Sequence, residues 1–317
     1  MQSRYQIKKH KTTLLDEIYN HPKTSCLVFS FEADKFSKTA LKLLQAETIH
    51  LSIGEKSLYI IDHFFQEKQA EEIKSFFSSA SFSRSSYGSA AAILQGERPA
   101  KTMNGKERYV LVENPPLAMQ EVFKLLGFIA HETNTKITTL PWELCDKEGN
   151  GSPSIIVNKL ERSTESSREL GRHKDVDPGK KISFGIPVLY QPGRCFEASF
   201  ENGAHGKPWL VTLMIYTTAA NYKDDYKMGT VFYHQDGSLA ARVRCRDMRI
   251  VIFEGDIEQS IEESFIEESI TTWRVSTVFK LVINPMDPLQ SAKNSVAQFF
   301  KTYTQDLNYL ASREMIL

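Results

Sequence analysis

Neither sign of charge prevails in this chain of 317 residues: Lys+Arg and Asp+Glu both total 39, giving a formal net charge of zero. Without a basic excess there is no general electrostatic pull toward nucleic acid or an anionic membrane surface, so both are set aside as partners. Cysteine is scarce as well. Cys26, Cys145, Cys195 and Cys245 stand singly, with no CxxC pair. That excludes a disulfide framework or a zinc ribbon and fits a reducing compartment. No run of eighteen apolar residues occurs, and Met1-Gln2-Ser3-Arg4-Tyr5 opens polar rather than as a secretory signal. A soluble, cytoplasmic protein is the expectation. Walker, GxGxxG and Gly-x-Ser-x-Gly motifs are also missing, which removes the nucleotide-dependent classes and the nucleophile-elbow hydrolases.

What is present is an ordinary globular composition, 41% hydrophobic and 25% charged, long enough for one large domain with appendages. Residues 1–54 read as a small α/β extension. In it, Thr12–Tyr19 suits a short helix, Cys26–Phe31 a strand, Lys35–Ala46 a helix and Ile49–Ile53 a strand. Ser57–Asp62 reads as a buried strand and Phe64–Phe77 as a helix; Ser78–Ser89 is loop-like. Arg108–Glu113 reads as strand, and Pro115-Pro116 opens a helix carrying Met119–His131. After the turn signal Lys147–Pro153 the pattern becomes strand after strand: 154–160, 181–190, 208–217, 229–234, 240–246, 248–253 and 273–284. Short strands between Gly, Pro, Asn and Asp clusters imply a sandwich or barrel with flanking helices, mainly β in an α+β chain. From Ser291 to Met315, Val296, Phe299, Phe300, Tyr303, Leu307 and Leu310 recur at helical steps, so 291–317 is expected as a packing helix.

The chemistry-bearing residues fall in a definite order. Gly171-Arg172-His173-Lys174-Asp175 comes first; a histidine and a carboxylate two apart on extended chain project to one side and can reach one metal ion. The apolar run Val211–Tyr216 follows, then Phe253-Glu254-Gly255, then Arg274-Val275-Ser276 on a late hydrophobic strand. Arg and Ser two apart also share a face, and a guanidinium pairs bidentately with carboxylate. Together with the opening Leu58–Phe65 and its Gln/Glu-rich helix, these motifs resemble the Fe(II)/2-oxoglutarate-dependent dioxygenases, closest to the prolyl-4-hydroxylase-like branch, over roughly residues 57–285.

The resemblance implies a double-stranded β-helix, or jelly roll, over 55–290. It makes His173 and Asp175 iron ligands, with Arg274 and Ser276 gripping the distal carboxylate of 2-oxoglutarate. Asn158 and Tyr216, on strands that should line the barrel, are candidate cosubstrate contacts or core hydrogen-bonding groups. Fe(II) and 2-oxoglutarate are the implied cofactors, and the implied reaction hydroxylates an unidentified protein side chain or small molecule, releasing succinate and CO2. One residue departs from the pattern: where the family has its second histidine, this chain has Gln259, fifteen residues before Arg274. An amide oxygen is a poorer Fe(II) ligand than imidazole. Three outcomes stay open: Gln259 acts as a weak metal ligand, Glu258, Asp256, His205 or His234 replaces it, or the site is silent and the jelly roll binds a ligand without oxidising it. Elsewhere, Arg242, Arg244 and Arg246 alternate as on a solvated edge strand. The run Glu258, Glu262, Glu263, Glu267, Glu268 reads as a solvated loop.

Overall fold

A computed structural model describes residues 28–29, 36–84, 101–139, 155–161, 170–175, 209–262, 264, 266–267, 269–287 and 289–304. The expected elements at 12–19, 147–153 and 181–190, His205, and the last part of the C-terminal helix lie outside these residues.

The chain is mainly β. A ten-stranded antiparallel sheet has the path β2 (Glu47–Ile53), β3 (Lys56–Asp62), β12 (Ile250–Glu254), β9 (Trp209–Thr218), β14 (Trp273–Pro285), β7 (Ile155–Glu161), β5 (Lys101–Met103), β4 (Phe82–Arg84). The long strand β14 also pairs through its second half with β6 (Thr135–Thr139), which carries β1 (Val28–Phe29). A four-stranded antiparallel sheet runs β11 (Leu239–Val243), β10 (Thr230–Tyr233), β13 (Gln259–Ile261), β8 (Leu170–His173). Strands β9 and β14 form the spine, paired over ten residues from Arg274↔Thr218 to Ile283↔Trp209.

Period-two alternation on that spine divides the interior into two cores. On one face Val275, Phe279, Leu281 and Ile283 of β14, with Val211, Leu213 and Ile215 of β9, join the core covered by helices. Helices α2 (Glu67–Ser79), α4 (Leu117–Glu132) and α5 (Ala292–Tyr303) supply its other side through residues such as Phe77, Leu125 and Phe300. The ring of Phe279 meets Phe123 edge-on at 6.0 Å, and truncating such a buried ring to alanine costs about 3–5 kcal/mol. On the opposite face Val278, Met214, Tyr216, Phe253 and Leu58 meet Phe232, Ala241 and Val243 of the small sheet. The two sheets therefore pack face to face, and what β14 points into that space decides the chemistry.

Three local expectations fail. Residues 108–113 belong to helix α3 (Gly105–Glu113) and not to a strand. A continuous apolar run fits a buried strand or a buried helix equally by periodicity, and Leu111 and Val112 are buried in the helix-side core. Within 78–89, Phe82–Arg84 forms strand β4 against β5, where a loop was expected. The acidic run 258–268 is not simply a solvated loop, since Gln259–Ile261 forms β13, wedged between β10 and β8. Helix α1 (Phe36–Gln45) and strand β2 match the reading closely, and β2 joins the large sheet through β3. The arginine stretch ends as a strand at Val243. There β11 is an edge, with Arg242 exposed and paired to Glu262 at 3.2 Å. No helix among the described residues is long and apolar enough to cross a membrane.

Candidate functional site

Strand β14 aims Arg274, Ser276, Val278 and Lys280 into the space between the sheets, and each end of that row carries a cation. Arg274 and Lys280 are six positions apart, about 20 Å along the strand between α-carbons. The two ends have different surroundings.

At the first end Arg274 is 1% exposed. Its Nε and Nη2 have no hydrogen-bond partner, and none of the ion pairs among the described residues involves it. The guanidinium carbon lies 5.5 Å from the centre of the Tyr216 ring. A desolvated cation–π contact contributes about 2 kcal/mol, whereas burying an uncompensated ion costs several. Arginine cannot escape by losing its proton, so the contact with Tyr216 leaves the charge largely unbalanced. Among the described residues, the weak acids beside it, Tyr216 and Cys245, do not supply an anion. Burial pushes the Tyr216 phenol well above its ordinary range despite the opposing pull of Arg274. Burial likewise raises the Cys245 thiol to about 12, again against Arg274. Both stay neutral at physiological pH.

Nε and Nη2 are the side-on edge of a guanidinium, and the same protein shows what that edge holds. Arg249, also buried, donates from Nε and Nη2 to Oδ1 and Oδ2 of Asp62 at 2.7 and 2.5 Å. Arg274 presents the same fork with no carboxylate in it. Around it the register places Ser276 opposite both Tyr216 and Asn158. Ser276 is buried, the Tyr216 hydroxyl is hydrogen-bonded to Thr230, and Thr102 donates to Asn158 Oδ1 at 3.1 Å. The four positions read from the sequence as a carboxylate site therefore share one face of adjacent strands.

At the second end the positions read as metal ligands also come together. His173 and Gln259 are directly opposed partners of β8 and β13 and so share a sheet face. Their neighbours confirm which face it is. Arg172 turns the other way, with its guanidinium 3.6 Å over the ring of Tyr233, whose hydroxyl bonds Ser260 at 2.8 Å. Asp175 does not extend β8 as expected; it sits in a bend two residues past His173, with its side chain 7% exposed, whereas His173 is exposed. Lys280 Nζ holds that bend by donating to the Asp175 carbonyl at 3.1 Å.

The Asp175 carboxylate is occupied by donors. Thr212 Oγ1 and Gln259 Nε2 each donate to Oδ2 at 2.8 Å, and Lys280 Nζ lies 3.5 Å from Oδ1. Turning the Gln259 amide over would set two acceptors against each other, so the network fixes its NH2 toward Asp175. Among the substitutes considered for the third ligand, Asp256 is paired with Lys56 at 2.9 Å. Glu258 precedes the inward-facing Gln259 and is half-exposed, and His234 lies in the β10–β11 turn, also half-exposed. Among the described residues no three His, Cys, Asp or Glu side chains gather to hold a metal ion. A 2-His-1-carboxylate iron needs two imidazoles and a free carboxylate oxygen. One exposed imidazole, an amide donor and a lysine-paired carboxylate do not fit it. Sequence reasoning missed Lys280 and Thr212. The cue for both was parity: each lies an even number of residues from Arg274 or Tyr216 along its strand.

No protein-family model matches the chain, and no curated protein matches it. Among solved structures, it is similar to a prolyl hydroxylase from Trichoplax adhaerens in complex with a hypoxia inducible factor oxygen degradation domain peptide fragment. The identity is 12% over 84% of this chain and 96% of that one, with a TM-score of 0.42. A prolyl-4-hydroxylase from Pseudomonas putida matches at 7% identity over 78% and 99%, with a TM-score of 0.32. Likeness of this degree assigns neither a fold nor an activity.

Proposed function

We propose that this chain is a jelly-roll protein of the Fe(II)/2-oxoglutarate oxygenase type whose inter-sheet space binds a small dicarboxylate, 2-oxoglutarate or a close analogue. One observation carries the reading: the buried, unpaired side-on edge of Arg274. A carboxylate there makes two parallel charge-assisted hydrogen bonds and cancels the buried charge in one step. Ser276 and Tyr216 flank the guanidinium, with Asn158 across the strand, and their hydroxyl and amide groups orient the rest of the ligand. The protein's part in this binding is electrostatic preorganisation: the cation is already desolvated and held, so little ordering is needed when the anion arrives.

A second reading, iron-dependent hydroxylation of a protein side chain or small molecule, is favoured by the meeting of His173, Asp175 and Gln259 at the other end of the same space. When bound, iron would supply dioxygen activation. The donor set at that end of the space does not suit it.

Anaerobic titration with 2-oxoglutarate separates the two. The binding reading expects heat of binding without metal, lost in Arg274→Ala, and no metal-to-ligand charge-transfer absorption when Fe(II) is added. That absorption, together with its loss in His173→Ala, would establish the hydroxylase reading instead. Absence of binding with and without Fe(II) would sink both.

A further inference from the structure

We infer that the ammonium of Lys280 takes the place of a metal ion at the Asp175 centre, so that this centre is built to work without metal. The inference concerns the other end of the inward-facing row from Arg274 and stands whether or not Arg274 holds a carboxylate.

Four contacts carry it. Lys280 Nζ sits 3.5 Å from Asp175 Oδ1 and donates to the same residue's carbonyl at 3.1 Å. A single ammonium thus clamps both the side chain and the backbone of the bend after β8. Gln259 Nε2, at the position where the resemblance places a ligand, donates to Oδ2 at 2.8 Å. Thr212 Oγ1 donates to the same oxygen, also at 2.8 Å. The carboxylate therefore faces a cation and two neutral donors, and its one negative charge is matched by one positive charge. Lys280 is held where it is, with its side chain 13% exposed. A divalent ion entering here would meet an ammonium beside the carboxylate it needs, and would find an amide N–H where it needs a lone pair. Two sequence positions acting together close the site: Gln259 removes a donor and Lys280 adds a charge. A purely structural lysine would clamp the bend equally well, and metal affinity tells the two apart.

The test uses Co(II) as the probe on the full-length protein, reading visible d–d absorption and the thermal shift on metal addition. Wild type, Lys280→Arg and Gln259→His are expected to show neither signal. Gln259→His/Lys280→Leu is expected to gain both, binding Co(II) at least a hundredfold more tightly than wild type. Gln259→His/Lys280→Gln provides a second double variant with a polar side chain should the first fold poorly. Wild-type Co(II) binding that disappears in His173→Ala would overturn the inference. So would Gln259→His alone reaching the affinity of the double variant, or two folded double variants that bind no better than wild type.

Discussion

Arg249 and Arg274 are both buried and offer the same two atoms, Nε and Nη2, yet only Arg249 has a carboxylate, that of Asp62, across them. The difference separates structure from function within one side-chain type. Arg249 is part of the fold, and under the proposed function the open edge of Arg274 is where a ligand carboxylate binds.

The fold side of that contrast is tested by Asp62→Asn. Arg249 would then keep only neutral acceptors, the new amide oxygen and the Arg244 carbonyl at 2.9 Å, in a site that also brings Arg246 within 3.7 Å of the same carboxylate. Breaking a buried pair from one side costs about 3–5 kcal/mol, and chemical denaturation should register that loss with little change in m-value.

For Arg274 the expected sign is opposite. Arg274→Met removes an uncompensated buried charge and keeps the volume, so the ligand-free protein should gain about 1–3 kcal/mol. A rise in Tm of at least about 2 °C should accompany it. A fall in stability on this substitution would mean that Arg274 is already satisfied within the fold.

Alkaline pH should weaken the protein through its buried acids. Burial raises Cys245 from 9.0 to about 12 and lifts Tyr216 and Tyr222 further still. A group whose folded pKa is raised gives its full contribution below the unfolded value and loses it as pH rises toward the folded one. The loss therefore begins near pH 9, where the unfolded thiol ionises and the folded one does not. Tm measured from pH 7 to 11 should fall above that point, and less steeply in Cys245→Ala. By the same token, native Cys245 should resist iodoacetamide at pH 8 and react once the chain is unfolded, as read by peptide mass spectrometry.

Gly229 tests the packing of the small sheet. A β-carbon there would lie 2.3 Å from the backbone carbonyl oxygen of Val243, on the paired strand β11. Backbone cannot yield as a flexible side chain does, so Gly229→Ala should cost about 1–3 kcal/mol.

How much of this was legible in the sequence depended on what each signal measured. The β9 and β14 strands announced themselves as long apolar runs, and the Arg-x-Ser spacing put Arg274 and Ser276 on one face without any structure. Helix α3 was misread because Tyr109-Val110-Leu111-Val112 has strand-like side chains whose helical state is decided by packing. Strand β13 was hidden in an acidic run, since three residues paired on both sides leave almost no periodicity to detect. Lys280 was invisible as a partner of Asp175 because the two are 105 residues apart. Only the register of β14 against β9, which sets Lys280 opposite Thr212, brings them together.

The most direct measurement is calorimetric titration of metal-free wild-type protein and Arg274→Ala with 2-oxoglutarate. Loss of a bidentate charged pair is expected to cost about 3 kcal/mol, on the order of a hundredfold in Kd. Saturable metal-free binding by wild type, weakened to that degree in the variant, is the predicted result. Equal affinities in the two proteins, or no heat of binding in wild type, would contradict a carboxylate site at Arg274.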